Sequence, residues 1–255
     1  MDFLEVIGFK GLHISLAAEP LFHIGPITIT NTIFTAWIVM VLLVVVSFFA
    51  TRNMQLVPSG LQNFAEAIVG MLYDIVEGVV GERARIVFPI IATFFIYIVV
   101  ANWMGLLPGF NSIGVWGDDG KGHEIFIPIF RAANSDLNMT IGMALIAFIL
   151  IHSAGVIIHK PLGYLKHLAG PLPILILINV AIESFVPVSL SVRLFGNIFA
   201  GEVLLLVMRL PVVGAAFMVL EVLFGLIQAL IFTMLTLIFL GLAMSGEHEH
   251  EEAHT

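Results

Sequence analysis

Cysteine is absent from the 255-residue chain, which excludes disulfides, thiolate metal sites and thiol redox chemistry. Charge is scarce: 11% of residues are Asp, Glu, Lys or Arg, against roughly 25% in a soluble domain. No Gly-x-x-x-x-Gly-Lys-Ser/Thr segment occurs, so a phosphate-cradling loop for nucleotide chemistry is excluded. The chain opens MDFLEVIGF and reaches its first long apolar run only at Thr32; this is not the pattern of a cleavable signal peptide, and insertion is expected through an uncleaved span. The formal net charge of −8 is concentrated in the amino-terminal arm, one polar loop, one amphipathic segment and the tail. It reads as solvated ends, and no nucleic-acid partner is expected. What the chain has in abundance is hydrocarbon, with 60% hydrophobic residues. Composition alone therefore makes it an integral membrane protein.

Five apolar runs follow one another: Thr32 to Thr51, Ile86 to Leu107, Asn138 to His159, Ile174 to Met208 and Val212 to Met244. The first three have the roughly 20-residue length of a helix crossing about 30 Å of hydrocarbon. The last two would form helices on the order of 50 Å long at about 1.5 Å per residue, so they must tilt steeply, kink or run partly along the membrane. Pro187 offers a kink, and Arg209, Leu210 and Pro211 supply a turn. Between the first two spans, Leu61, Phe64, Ile68, Leu72, Ile75 and Val79 recur at three- and four-residue steps with Glu66, Asp74 and Glu77 between them, which predicts an amphipathic helix lying along the membrane surface. The expected fold class is all-α: five passes plus an interfacial helix, ending in a hairpin of two long, strongly tilted helices. One domain over 1–255 is expected, divided into an outer arm (1–31), first span (32–51), interfacial helix (57–82), second span (86–107), outer loop (108–137), third span (138–159), long hairpin (174–244) and inner tail (245–255).

Arg52, Arg83, Arg85, Lys160 and Lys166 fall on one side of these spans, and Lys10, Lys121, Arg131 and Arg209 on the other. The first span decides the orientation, because Arg52 closes it and no cation lies within the ten residues before it. The amino terminus is thus expected outside and the carboxyl terminus inside.

The stretch SLSVRLFGNIFAGE, Ser189 to Glu202, sets Arg193 deep inside the fourth apolar run. A central arginine costs about 2.5 to 3.5 kcal/mol to insert, and such residues are by default marks of function. Asn197 lies one turn further along the same face. In the last run Glu221 and Gln228, seven residues apart, share a face. Folding the two helices antiparallel about Pro211 places Gln228 beside Arg193 and Glu221 beside Glu202, with Glu183 a further acid near the inner end. Acids clustered at one depth suit a proton relay. A guanidinium does not deprotonate, so it suits a barrier that attracts an ionised carboxylate.

Together with ANWMGLLPGF from Ala101, NSDLNMT from Asn134 and IQALIFTMLT from Ile227, that stretch resembles subunit a of the bacterial F-type ATP synthase over essentially the whole chain. The resemblance implies a non-catalytic, proton-conducting stator in the bacterial plasma membrane. It implies Arg193 as the essential arginine facing a ring of c subunits, Gln228 and Asn197 as its neighbours, Asn102, Glu202 and Glu221 in an outer half-channel, and Glu183 in an inner one. Its implied partners are the c-ring, b-type peripheral stalk subunits and the peripheral ATPase sector, with the lipid bilayer around them. It implies no cofactor or metal and a proton as the transported ion. Three positions depart from the family pattern: Glu221 stands where some relatives have histidine, Gly105 where some are acidic, and Glu183 close to, but out of register with, the acid that relatives place before the arginine.

Other residues receive plainer readings. His152 is expected to pack or to hydrogen-bond between helices. His159, Lys160, Lys166 and His167 are interfacial anchors, and Trp37, Trp103 and Trp116 fill interfacial or packing roles. The tail GEHEHEEAHT, with His248 and His250, reads as a disordered acidic end. The competing function from another class is a secondary transporter of a small anion with Arg193 as its clamp, which inverted repeats would favour; none is visible.

Overall fold

The computed structural model describes residues 18–25, 27–107, 110, 113–118, 124–169, 175–207 and 211–245. Lys10, Lys121, Arg209, Leu210 and the tail with His248 and His250 lie outside the described residues, as do the side chains of Trp116, Lys166 and His167. Six helices carry the fold: α1 (Asn31–Thr51), α2 (Leu61–Val80), α3 (Ala84–Met104), α4 (Leu137–Ala169), α5 (Leu175–Val207) and α6 (Pro211–Met244). Five helical segments are long and apolar enough to cross a membrane.

The fold is mostly helical, as expected of an all-α membrane protein, with two small hairpins outside the helices. β1 (Pro20–Ile24) pairs antiparallel with β2 (Ile27–Thr30), and β3 (Gly114–Asp118) with β4 (Glu124–Pro128). The reason is local: β-branched residues such as those of ITIT, and the Val, Ile and aromatic residues of GVWGD and EIFIP, favour extended backbone wherever hydrocarbon does not force a helix.

The helices begin and end for identifiable reasons. Thr30 caps α1 by accepting from the Ile33 amide. Gly60 and Gly81, at φ 58° and 59°, bracket α2 in a conformation that glycine adopts without penalty. The third apolar run was expected to end at His159, but helix resumes after a single non-helical residue, Lys160 at φ 59° and ψ 160°. Pro161 favours that break, because a proline disfavours helical geometry at the residue before it. α5 passes Pro187 and remains one helix.

α2 packs part of the apolar stripe that its periodicity predicts, with Leu72 buried and Ile68 and Ile75 half-buried against the cores. Leu72 and Val76 are buried, whereas Leu61, Phe64 and Val79 are exposed. The packing partners of α2 come from α3 and α6, and that contact, rather than the full apolar stripe, decides which residues are covered.

Helices in lipid gain little from apolar burial alone, so they associate by close packing of small residues. Ala101, Ala144, Ala147 and Ala229 are fully buried accordingly. One core joins α3, α4, α5 and α6 around Ile98, Leu194 and Phe232. A second joins α2, α3, α4 and α6 around Val76, Ile91, Leu237 and Leu240. α1 stands to one side, burying Asn31, Thr32, Thr35, Ala36, Val39 and Ala50. It is fastened at its amino-terminal end, where the Asn31 amide side chain donates to the Pro128 carbonyl at 3.2 Å, the Thr32 hydroxyl to Asp136 at 2.9 Å, and the Arg131 backbone to Thr35 at 3.3 Å. At the opposite end of the molecule, Arg83 donates to the Met244 carbonyl at 2.7 Å, a cation closing the carboxyl end of α6.

Candidate functional site

α5 and α6 meet along antiparallel faces. Asn197 Nδ2 donates to the Phe224 carbonyl at 3.5 Å, and one turn further along Gly201 lies directly against the Glu221 carboxylate. These contacts lie on the register that a fold-back near Pro211 predicts.

Near the β3–β4 end, Asn102, Glu202 and Glu221 line one cavity of about 180 Å³, together with Ala132, Ile198 and Leu205. That volume admits several waters beside polar partners. Glu221 is buried. Asn102 is fixed at both ends of its amide: Nδ2 donates to the Gly225 carbonyl at 2.9 Å, and Oδ1 accepts from Asn134 at 2.7 Å. Its polar wall is therefore tied to α6 and to the short 3-10 turn Ala133–Ser135.

Sequence reasoning missed Arg131. It was read as a loop cation, but its Nε lies 3.2 Å from Glu202 Oε2, with the two side chains only 7% and 16% exposed. Its guanidinium also sits over the Phe199 ring at 6.0 Å. Of the two acids in the cavity wall, Glu202 thus has a cation at its carboxylate, and Glu221 has a glycine. Removing one member of a buried pair costs about 3–5 kcal/mol. Arg131→Ala is therefore expected to lower the melting temperature of the purified complex, and Arg131→Met combined with Glu202→Gln to recover most of the loss. An unchanged melting temperature in the single variant would show that the pair contributes nothing.

Arg193 lies between this cavity and a second one. It is exposed, in a groove lined by Phe185, Val186 and Ser189 and, on α6, by Leu235 and Phe239. Its hydrogen bond goes to Ser189 Oγ at 3.5 Å, and it makes no ion pair with a carboxylate among the described residues. The expected neighbour Gln228 is buried on α6, with Nε2 lacking a hydrogen-bond partner among the described residues; no hydrogen bond joins it to Arg193. The result is an unpaired cation on an otherwise hydrocarbon face.

The second cavity, about 160 Å³, is lined by His152 and Tyr164 of α4, Glu183 of α5, and Phe239, Leu242 and Ala243 of α6. His152 Nε2 lies 3.2 Å from Glu183 Oε2. Sequence reasoning had placed the two residues separately, and no periodicity connects positions on different helices. Among the described residues, no three His, Asp or Glu side chains converge as a metal site would require.

Comparison with known proteins agrees with this architecture. A family model described as ATP synthase A chain matches residues 33–241. ATP synthase subunit a of Moorella thermoacetica is 33% identical over 229 residues, covering 89% of this chain and 96% of that protein. ATP synthase subunit a of Gloeobacter violaceus is 38% identical over 237 residues, covering 89% of each, and ATP synthase subunit a 2 of a Bradyrhizobium strain is 37% identical over 234 residues, covering 91% and 96%. Agreement that runs from the first spanning helix almost to the end of the last makes this chain a member of the ATP synthase A chain family, an a subunit of the F-type ATP synthase and a non-catalytic membrane component of that complex.

Proposed function

We propose that this chain is the stator that feeds protons to a rotating ring of c subunits through two offset half-channels. One observation carries the reading: an exposed arginine on an apolar helical face, with a separate acidic cavity on either side of it along the same two helices. A proton enters from outside past Asn102, Glu202 and Glu221 and neutralises a ring carboxylate, which can then turn through lipid. After nearly a full revolution that carboxylate reaches the inner path near Glu183 and gives up its proton. Arg193 keeps the two paths apart, because a guanidinium does not pass a proton on, and it holds the ionised carboxylate in register by charge. Asn197 and Gln228 flank it on the two helices.

In this reading the amino terminus is outside, the carboxyl terminus is inside, α2 lies along the inner surface, and α5 and α6 form a tilted hairpin against the ring. The b-type stalk subunits and the peripheral ATPase sector complete the assembly. Moving one charge through 100 mV yields about 2.3 kcal/mol, less than an ATP requires, so several protons must be coupled through rotation. The test is purification of the chain from its native membrane, with ATP-driven acidification of inverted vesicles measured in parallel. Copurification with a c-ring and an ATPase sector, together with pumping, is expected; a chain that purifies alone and transports an anion would overturn the proposal.

A further inference from the structure

We infer that Arg131 holds Glu202 as a permanent anion, so that Glu221 alone of the two acids loads and unloads protons in the outer half-channel. This rests on the stator reading above, to which it adds a positioning residue and a division of labour between two carboxyl groups.

Arg131 is fixed through its backbone and through its side chain. Its amide donates to the Thr35 hydroxyl of α1 at 3.3 Å. Its guanidinium lies over the Phe199 ring at 6.0 Å, and its Nε donates to Glu202 Oε2 at 3.2 Å. Phe199 and Glu202 are three residues apart on α5 and so share a face, which this one side chain covers. The pair is nearly closed to water, at 7% and 16% exposure. Protonating Glu202 would strand an unpaired cation there, because a guanidinium does not give up its own proton in exchange. The stable state is therefore guanidinium and carboxylate, neutral as a pair.

Glu221 stands differently. It is buried, and among the described residues no hydrogen bond or ion pair holds its carboxyl group. It occupies the room left by the missing side chain of Gly201. Ionised, it would be an uncompensated charge among apolar helices; protonated, it is neutral, the form that low-dielectric surroundings favour. It also lines the cavity of about 180 Å³, so water can reach it. A group that rests with a proton and meets water can pass that proton on.

The remaining walls add no charge among the described residues: Asn102, Gly105, Leu106, Ala132, Ile198 and Leu205 are all neutral. Asp136, on the same segment as Arg131, is taken up by the Thr32 hydroxyl and the Asn138 amide, each at 2.9 Å. In one exchange an O–H bond breaks at Glu221 as its proton moves on, and another forms there as the next proton arrives through the cavity. Glu202 and Arg131 keep their protonation throughout.

The test uses inverted vesicles holding the assembled complex, stripped of its ATPase sector, with passive proton flow driven by a potassium diffusion potential. The pH of the lumen, which the outer half-channel faces, is stepped across neutrality. Glu221→Gln should slow the flow by about tenfold or more at every pH, the scale of a lost acid–base group. Glu202→Gln should slow it as well, because the guanidinium left unpaired repels protons from the cavity. Adding Arg131→Met to Glu202→Gln should bring the flow back to within about threefold of the unsubstituted complex, less than an acid–base loss. A double variant as slow as Glu202→Gln would make Glu202 a carrier and overturn the inference, and so would native flow in Glu202→Gln alone.

Arg131→Met by itself supplies a readout that a merely structural arginine would not move. Glu202, freed of its cation, ionises as the pH rises, and the new negative charge holds the Glu221 proton more tightly. Flow relative to the unsubstituted complex at the same pH should therefore fall as the lumen pH rises. A deficit equal at every pH would reduce Arg131 to a structural residue. If Arg131→Met does not assemble, the double variant decides. Arg193→Ala, assayed for ATP-driven pumping, separates the two levels: if it abolishes pumping while the double variant stays slow, the division of labour is wrong and the stator stands; if it pumps normally, the stator reading itself falls.

Discussion

Arg193→Ala is expected to abolish ATP-driven acidification of inverted vesicles while the complex still assembles. The structural cost of the change is small, because the side chain is exposed and its hydrogen bond is one 3.5 Å contact with Ser189. Removing the charge also relieves about 2.5 to 3.5 kcal/mol of insertion cost. Loss of pumping would therefore report on what the guanidinium does rather than on what it holds together. Arg193→Lys should not restore the native rate, since an ammonium is a compact, strongly hydrated charge that can shift its protonation when desolvated. Copurification of the ring and the ATPase sector verifies assembly. Pumping near the native level in the alanine variant would reduce Arg193 to a surface charge and remove the centre of the mechanism.

The second large effect is expected from one methyl group. In Gly201→Ala the new Cβ would overlap the Glu221 carboxylate, and the three nearest atoms it meets all belong to the end of that flexible side chain. The carboxylate gives way and the helices need not. Alanine also favours helix over glycine by about 1 kcal/mol, so α5 itself should be no less stable. Proton flow should nonetheless fall by about tenfold or more, as for a displaced acid–base group, because Glu221 is driven from its place in the wall of the Asn102 and Glu202 cavity. Passive flow through stripped vesicles measures it, with the melting temperature of the complex as the control for folding. Native flow in this variant would mean that protons do not pass Glu221.

The first and last spanning helices were legible in the sequence to within a residue because hydrocarbon imposes one solution on an apolar run of sufficient length: the backbone must satisfy its own hydrogen bonds. The run Thr32 to Thr51 becomes Asn31–Thr51, and Val212 to Met244 becomes Pro211–Met244. Where water competes, that constraint lapses, and the two hairpins went unread in segments taken as arm and loop. For a related reason the periodicity of α2 identified an apolar stripe but not which part of it meets protein. In the candidate site, Arg193, Glu202 and Glu221 stood out because charge in hydrocarbon is conspicuous. Arg131 did not, since it follows a polar loop where cations are ordinary, and its contact with Glu202 joins segments 71 residues apart. His152 was visible as a residue but not as a partner, because its meaning depends on the rotation of α4 against α5.

The two larger hydrophobic cores close only with residues of α6, Ala229 and Phe232 in one and Leu237, Leu240, Ala243 and Met244 in the other. Both polar cavities likewise take part of their wall from it, Glu221 in the first and Phe239 and Leu242 in the second. During synthesis this helix reaches the bilayer after the five that precede it. The earlier spans must wait, inserted but without their common centre, until it arrives. A product terminated before α6 therefore carries the arginine but neither complete cavity.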